Sequence, residues 1–355
     1  MIKYLGSKRL LVPVLGAMAS AVEARTALDL FTGTTRVAQE FKRRGATVTA
    51  VDTASYSDVL ARCYISTDAT TVDKDALSEA LASLAALPPA AGYFTDVFCG
   101  QARYFQPKNG ARIDAIREQL AASFSDSPLF PILLTSLMLA ADRVDSTTGL
   151  QMAYLKQWAP RAHNDLELRL PELLPGNGKA VQGDALSMVT TLPFVDLAYL
   201  DPPYNQHRYF TNYHVWESLV RWDKPSHYGV ACKRVDSRDD ATRSPFNSRR
   251  TMPDALKSVI AGARARVVIV SYNDESWVAP EHIMEWLRDA GHDDVRMVGF
   301  DYKRYVGAQI GIHNPAGVKV GTVSHLRNTE YLFVAGPTEQ VEAATRAATA
   351  SPGSG

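Results

Sequence analysis

One run of the sequence limits the choice of fold more than any other: the largely apolar residues 195–200, followed by Asp201-Pro202-Pro203-Tyr204. A short apolar run of this kind is typical of a strand that is buried on both faces of a parallel sheet. Proline fixes its own φ and pushes the preceding residue out of the α region, so the next four residues predict a stiff loop. Open α/β sheets bind ligands at the carboxyl ends of their strands. The run therefore predicts an α/β fold with a ligand site at this loop.

The loop residues indicate what kind of ligand would suit them. Asp201 offers a carboxylate. Pro202 offers a backbone carbonyl and, as a proline, has no backbone N–H that could compete with it. Two such acceptors can take both hydrogens of an exocyclic amine, while the ring of Tyr204 stacks on the planar group that carries the amine. A rigid turn without a chemical role is the alternative that these four residues alone leave open.

A second pattern lies near the start of the chain. Residues 27–31 predict a strand, Gly33 stands in the turn that follows, residues 36–44 predict a helix, and residues 46–52 predict a strand that ends on Asp52. This is the opening of a Rossmann-like nucleotide site, in which the acid can accept hydrogen bonds from ribose hydroxyls. The full glycine fingerprint of dinucleotide sites is missing, which favours a ligand without phosphates. A plain βαβ unit remains open.

The α/β alternation stops after residue 52 and resumes near residue 179. The intervening part predicts three helices, at residues 75–87, 111–124 and 127–144, with polar and aromatic loops between them. We therefore expect a discontinuous catalytic domain at residues 1–52 and 179–336, a mainly helical insertion at residues 53–178, and a flexible tail at residues 337–355. The insertion loops suit contact with nucleic acid, but they are equally ordinary surface loops.

The chain is not basic overall, since Lys+Arg and Asp+Glu both number 38. Any contact with nucleic acid must then come from a local patch. Residues 233–250 are the best candidate, and a solvated flexible loop is the alternative. The basic residues that we expect to contact DNA there are Lys233, Arg234, Arg243, Arg249 and Arg250.

Targeting and metal signals are weak. The three cysteines are widely spaced, which indicates reduced thiols in a cytoplasmic protein and no structural metal site. Residues 3–18 imitate a secretory signal, but the helical spacing of their apolar residues is explained as well by an amphipathic helix. No apolar run reaches the roughly 20 residues that span a bilayer.

The motifs together resemble a known family. Residues 3–8 read Lys-Tyr-Leu-Gly-Ser-Lys, residues 29–33 read Asp-Leu-Phe-Thr-Gly, and residues 201–204 read Asp-Pro-Pro-Tyr. In this order they are similar to the S-adenosylmethionine-dependent DNA adenine-N6 methyltransferases of the Dam-like class, and the resemblance extends to about residue 336. Thr35 stands where many members have a second glycine, which leaves open the path of the loop around the methionine part of the cofactor.

The resemblance implies a Rossmann-like methyltransferase fold, S-adenosyl-L-methionine as cofactor, and methyl transfer to the N6 amine of an adenine flipped out of double-stranded DNA. Lys8 would be a partner for the cofactor carboxylate, Asp52 would take the ribose hydroxyls, and Asp184 would take the cofactor's adenine amine. Asp29 would lie near the sulfonium and amino side. The implied catalytic residues are Asp201, Pro202, Pro203 and Tyr204. The implied cofactor-binding residues are Tyr4, Gly6, Ser7, Lys8, Asp29, Phe31, Gly33, Asp52 and Asp184.

Several alternatives stay open at this point. The same chemistry could act on cytosine N4, on an RNA base or on a side-chain amide. A non-catalytic DNA-binding protein with a vestigial cofactor fold is a further alternative, although the intact acids argue against it. A dinucleotide-dependent oxidoreductase is disfavoured by the missing glycine fingerprint. The sequence is compatible both with a cognate restriction endonuclease as partner and with an independent role.

Overall fold

The computed structural model describes residues 2–3, 8–203, 206, 208–274, 276–303, 312–313, 319–321 and 327–350. It shows an α/β protein with a central, mostly parallel sheet of seven strands and helices around it, which confirms the predicted fold class. None of the helices in these residues is both long and apolar enough to cross a bilayer.

The secondary structure elements have the following bounds. The strands are β1 Thr26–Asp29, β2 Thr47–Asp52, β3 Gly178–Gln182, β4 Val195–Leu200, β5 His227–Tyr228, β6 Lys233–Arg234, β7 Ala265–Asn273, β8 Asp294–Lys303, β9 Ile312–His313, β10 Lys319–Gly321 and β11 Arg327–Gly336. The α-helices are α1 Val12–Ala21, α2 Arg36–Arg43, α3 Ser55–Ala61, α4 Lys74–Ala86, α5 Tyr93–Thr95, α6 Pro107–Phe124, α7 Phe130–Val144, α8 Ala185–Met188, α9 Tyr209–Asn212, α10 His214–Arg221, α11 Met252–Gly262, α12 Pro280–Asp289 and α13 Thr338–Ala350. Short π-helical turns cover Arg62–Ser66 and Asp96–Gln101, and 3₁₀ turns cover Pro160–His163, Val235–Arg238, Asp240–Thr242 and Pro245–Asn247.

The chain divides into two compact units. The first unit comprises Met1–Ser7, Thr32–Asp184 and His207–Ser244, and the second comprises Lys8–Phe31, Ala185–Gln206 and Pro245–Gly355. The predicted helical insertion lies in the first unit, which also includes β2 and residues 207–244. The domain boundaries at residues 52 and 178 stay a prediction.

In the first unit, β2 and β3 are parallel, with Asp52 opposite Gln182. The helices follow from local signals in the sequence. Asp73 caps α4, because its side chain accepts the Ala76 N–H at 2.9 Å. Proline stands in the first turn of both α6 and α7, where no intrahelical N–H is needed. The insertion packs around an apolar core dense in buried aromatic side chains, chiefly Phe94, Phe98, Tyr104, Phe105 and Trp216.

In the second unit the strand order is β1-β4-β7-β11-β8. The first three strands are parallel, with Leu28 opposite Ala198 and Leu197 opposite Val267. β11 lies antiparallel between β7 and β8. Leu197 and Val267 are fully buried, because helices cover the sheet and leave its central strands without a solvent face.

The predicted flexible tail needs a correction. Residues 338–350 form helix α13, which contacts α1 and β8. Val341, Ala344 and Ala348 are buried at helical spacing, so small side chains allow a close approach to the neighbouring elements. The Ala/Thr-rich composition concealed this apolar face, and residues 351–355 lie outside the described part of the chain.

Candidate active site

The acidic loop follows β4 as predicted, since Val195–Leu200 is a strand with neighbours on both sides. Asp201 is the first residue beyond the strand, Pro202 is buried, and Pro203 is half-buried. In the register of β1 and β4, Asp29 lies opposite Tyr199, so Asp29 and Asp201 stand at the carboxyl ends of adjacent parallel strands. The loop therefore occupies the edge of the sheet at which ligands bind in open α/β folds.

Lys8 comes from the segment before α1 and lies against Asp201. Its Nζ atom is 3.1 Å from Asp201 Oδ1, and it also contacts Glu330 Oε1. The side-chain exposures are 8% for Lys8, 17% for Asp201 and 12% for Glu330. The predicted role of Lys8, as a partner for the cofactor carboxylate, stays a prediction. The ion pair adds a contact with the loop that the sequence assigns to catalysis.

The surroundings of Asp201 change its acidity. Burial raises the pKa of this carboxyl to about 6, the charge of Lys8 opposes that rise, and the charge of Glu330 adds to it. Burial, with the charge of Asp201 beside it, also raises the pKa of Tyr199. Asp201 is therefore mostly an acceptor-only carboxylate at neutral pH, as the binding of amine hydrogens requires.

The first unit holds the acid at the end of β2. Asp52 accepts the Gly33 N–H at 2.8 Å through Oδ2 and the Ala54 N–H at 3.0 Å through Oδ1. Burial raises the pKa of Asp52, and these backbone hydrogen bonds oppose the rise. Gly33 has φ +51° and Thr35 has φ +63°, so the turn takes the left-handed conformation twice.

Asp52 fits the ribose of an adenosine-containing cofactor in its chemistry. Each carboxylate oxygen can accept more than one hydrogen bond, so ribose hydroxyls can be added to the two backbone donors. Asp184 is exposed just beyond β3, and the Gly183 N–H donates to the Asp52 carbonyl at 2.9 Å. Two carboxylates thus stand at neighbouring strand ends of this unit.

The remaining predicted cofactor residues are distributed as follows. Asp29 is buried at the end of β1, and Phe31 packs edge-to-face on Phe246 with 5.2 Å between ring centroids. Four predicted site residues lie outside the described part of the chain, namely Tyr4, Gly6, Ser7 and Tyr204.

The basic patch predicted to contact DNA needs one correction. The Arg234 side chain is buried and makes paired hydrogen bonds with Asp223 and Asp236, so its guanidinium is committed to the protein interior. Arg243 is exposed and pairs with Asp240. Lys233 is half-buried in β6. Arg249 and Arg250 are exposed just before α11.

With this geometry in place, the comparisons with known proteins decide the family. The profile of the D12 class N6 adenine-specific DNA methyltransferases matches residues 4–268. The chain belongs to this family. It is therefore a DNA adenine-N6 methyltransferase, and the predicted activity is confirmed.

Curated relatives carry names that agree. The chain is 28% identical over 317 residues to the type II methyltransferase M.NlaIII of Neisseria lactamica, covering 85% of this chain and 92% of the relative. It is 28% identical over 324 residues to modification methylase StsI of Streptococcus sanguinis, covering 85% of this chain and 48% of the relative. It is 32% identical over 213 residues to M.FokI of Planomicrobium okeanokoites, covering 57% of this chain and 32% of the relative.

The chain thus spans nearly the whole length of M.NlaIII but about half or less of the other two. Among solved structures, the CcbJ methyltransferase of Streptomyces caelestis is similar over 95% of this chain and 100% of its own length, with 10% identity and a TM-score of 0.27. That likeness is too low to carry an argument.

Sequence reasoning missed two residues that are linked to Asp201 through Lys8. Glu330 lies in the part of the chain that the resemblance covers, but no role for it followed from the sequence. Ser271 is buried and donates a hydrogen bond to Glu330 Oε1 at 2.8 Å. The available signal was an acid directly before the apolar run at residues 331–334, because a charged side chain beside buried apolar residues needs a partner.

Proposed function

We propose that this enzyme transfers a methyl group from S-adenosyl-L-methionine to the N6 amine of an adenine flipped out of double-stranded DNA, and that Asp201 and the Pro202 carbonyl hold the amine. The observation that supports this most is Asp201 at the end of β4, paired with Lys8. A carboxylate at this sheet edge can accept hydrogens from a ligand amine.

The chemistry that the loop must perform is specific. An adenine amine is a poor nucleophile because its lone pair is delocalised into the ring. When Asp201 and Pro202 accept its two hydrogens, the nitrogen moves towards tetrahedral geometry and its lone pair becomes available. Positioning the two reactants can lower the barrier by roughly 7–11 kcal/mol at the extreme. Asp201 also stabilises the positive charge that develops on the nitrogen.

For the cofactor, we propose that Asp52 takes the ribose hydroxyls and Asp184 the adenine amine. Tyr4, Gly6, Ser7, Lys8, Asp29, Phe31 and Gly33 complete the proposed set. When it is bound, S-adenosyl-L-methionine supplies an electrophilic methyl group on a sulfonium. The support from the structure is a set of hydrogen-bond acceptors in each unit. They are carboxylates at the ends of parallel strands, and one of them, Asp52, accepts the Gly33 N–H of the glycine turn.

The DNA side of the proposal concerns flipping and phosphates. Extruding a base costs a few kcal/mol, and stacking on Tyr204, worth about 1–3 kcal/mol, offsets part of that cost. We propose phosphate contacts for the exposed Arg249 and Arg250, and also for Lys233 and Arg243. We further propose that the helical insertion at residues 53–178 contributes to target recognition.

The biological setting follows the names of the relatives. M.NlaIII is named a type II methyltransferase and StsI a modification methylase. We propose that this enzyme protects DNA from a cognate restriction endonuclease, and that it does so in the cytoplasm.

The test is the Asp201→Asn variant, which keeps the size of the side chain and removes its charge. We expect methyl transfer from labelled S-adenosylmethionine to duplex DNA to fall by at least about a thousandfold, as when a group essential to the transition state is lost. Cofactor affinity, measured by calorimetry, should survive. Asp289→Asn is the matched control, because Asp289 is an exposed acid at the end of α12.

Near-normal turnover by Asp201→Asn would refute the assignment of the loop. Duplexes that lack adenine, and duplexes that lack cytosine, test the acceptor in the same assay. Label on the duplex without adenine would refute the proposed N6 acceptor.

A further inference from the structure

The charged groups beside the catalytic loop form a chain of contacts that reaches three strands. Lys8 Nζ contacts Asp201 at the end of β4 and Glu330 in β11. The Glu330 Oε1 atom also accepts the hydroxyl of Ser271, in β7, at 2.8 Å. A lysine ammonium carries three donors, so it can serve both carboxylates at once. Glu330 thus holds the group that holds Asp201.

The balance of charge in this cluster matters for methyl transfer. Lys8, Asp201 and Glu330 are all largely buried, so their interactions are screened less than those of surface charges. One positive and two negative charges leave a net negative charge beside the amine. Without Glu330, the ammonium of Lys8 would cancel the charge that Asp201 offers to the developing cation.

We propose that Glu330 is a positioning residue of the methyl-transfer site, which fixes Lys8 against Asp201 and keeps the site negatively charged when the amine nitrogen becomes positive. This inference rests on the proposed role of Asp201. It assigns a function to the closing strand β11, which the sequence motifs alone left without one.

The groups that face Asp201 predict opposite effects for two substitutions. They are Lys8 from the segment before α1, Glu330 from β11 and Tyr199 from β4 itself. Asp29 stands on the neighbouring strand β1, opposite Tyr199. Lys8 lowers the pKa of Asp201 and Glu330 raises it. Removing the charge of Lys8 should therefore raise the pKa of Asp201, and removing the charge of Glu330 should lower it.

The experiment measures kcat/KM for DNA methylation as a function of pH. The fall of kcat/KM on the acidic side of this profile, its acidic limb, reports the pKa of a group in the free enzyme. The wild type should lose activity as pH falls through about 6. In Lys8→Met the limb should move up by about one pH unit or more, as expected for loss of an adjacent opposite charge. In Glu330→Gln it should move down, and kcat at the plateau should fall about tenfold or more.

Three controls separate positioning from simple damage. Glu339→Gln removes an exposed acid at the start of α13 and should change neither limb nor plateau. Glu330→Asp keeps the charge but shortens the arm, so kcat should fall while the limb stays near that of the wild type. It also serves as the test variant if Glu330→Gln fails to fold. Calorimetric affinity of Glu330→Gln for S-adenosylmethionine should equal that of the wild type.

Two results would overturn the inference alone. The first is an active wild type whose acidic limb stays in place in both variants, or moves in the same direction in both. The second is a Lys8→Met variant whose acidic limb stays at the wild-type pH, because Lys8 would then not act on Asp201. A wild type that methylates no adenine would overturn the proposed function first.

Discussion

Replacing Arg234 should destabilise the protein more than it weakens DNA binding. The guanidinium donates to both oxygens of Asp223, each at 2.7 Å, and to Asp236 at 3.0 and 2.7 Å. Only 1% of the Arg234 side chain is exposed. Arg234→Ala would leave the two carboxylates to Arg221, whose guanidinium lies 3.3 Å from each of them.

The magnitude follows from the burial of the partners. Removing one member of a buried ion pair costs about 3–5 kcal/mol. Here the Asp223 and Asp236 side chains are 33% and 28% exposed, so water can solvate part of the uncovered charge. We therefore expect the lower end, about 3 kcal/mol of unfolding free energy. Arg234→Lys should lose roughly half of that, since an ammonium cannot reproduce the planar fork.

Urea denaturation is the assay, and tryptophan fluorescence is a suitable signal because Trp216 and Trp222 lie in the same unit as Arg234. The matched control is Arg243→Ala. Arg243 pairs with Asp240 on the surface, where side-chain exposures are 54% and 89%. That substitution should change the unfolding free energy by less than about 0.5 kcal/mol.

Two results together would refute the reasoning. They are an Arg234→Ala variant as stable as the wild type, and a steep loss of its DNA affinity with a reduced slope of log affinity against log salt. Such a result would return Arg234 to the DNA interface, where the sequence had placed it.

Three further predictions concern other parts of the chain. Replacing Arg249 and Arg250 together with alanine should flatten the slope of log affinity against log salt by about 1.8 if each contacts one phosphate, and an unchanged slope would exclude them. Thr35 has φ +63°, a conformation that glycine adopts without strain. The unfolding free energy of Thr35→Gly should therefore exceed that of Thr35→Ala by about 1 kcal/mol, and the reverse order would contradict the strain argument. Burial lowers the pKa of His214 to about 3, so below about pH 6.5 the unfolded chain gains a proton that the native state lacks. Stability should then fall by up to about 1.4 kcal/mol per pH unit as pH drops towards 3, and His214→Gln should show a shallower fall in urea unfolding at pH 7, 6 and 5.

Local patterns in the sequence predicted the strands and turns that frame the site. The apolar run before Asp201 and the alternation around Gly33 each depend on a few adjacent residues, and both form as expected. Their chemistry could be inferred because proline and glycine restrict the backbone in known ways.

What could not be predicted depends on contacts between distant residues. A cluster of basic residues indicates an exposed patch, but whether Arg234 is exposed depends on where Asp223 lies in three dimensions. The tail looked disordered because alanine and threonine signal no core, and only its packing shows that Val341 and Ala344 are buried. The partnership of Lys8 with Glu330 is invisible for the same reason.

That partnership joins parts of the chain that are far apart in sequence, because 322 positions separate Lys8 from Glu330. Glu330 is placed by β11, which lies between β7 and β8. During translation, the first half of this pair emerges from the ribosome long before the second. A nascent chain can therefore expose Asp201 and Lys8 early, but it should gain a competent methyl-transfer site only after β11 has been synthesised.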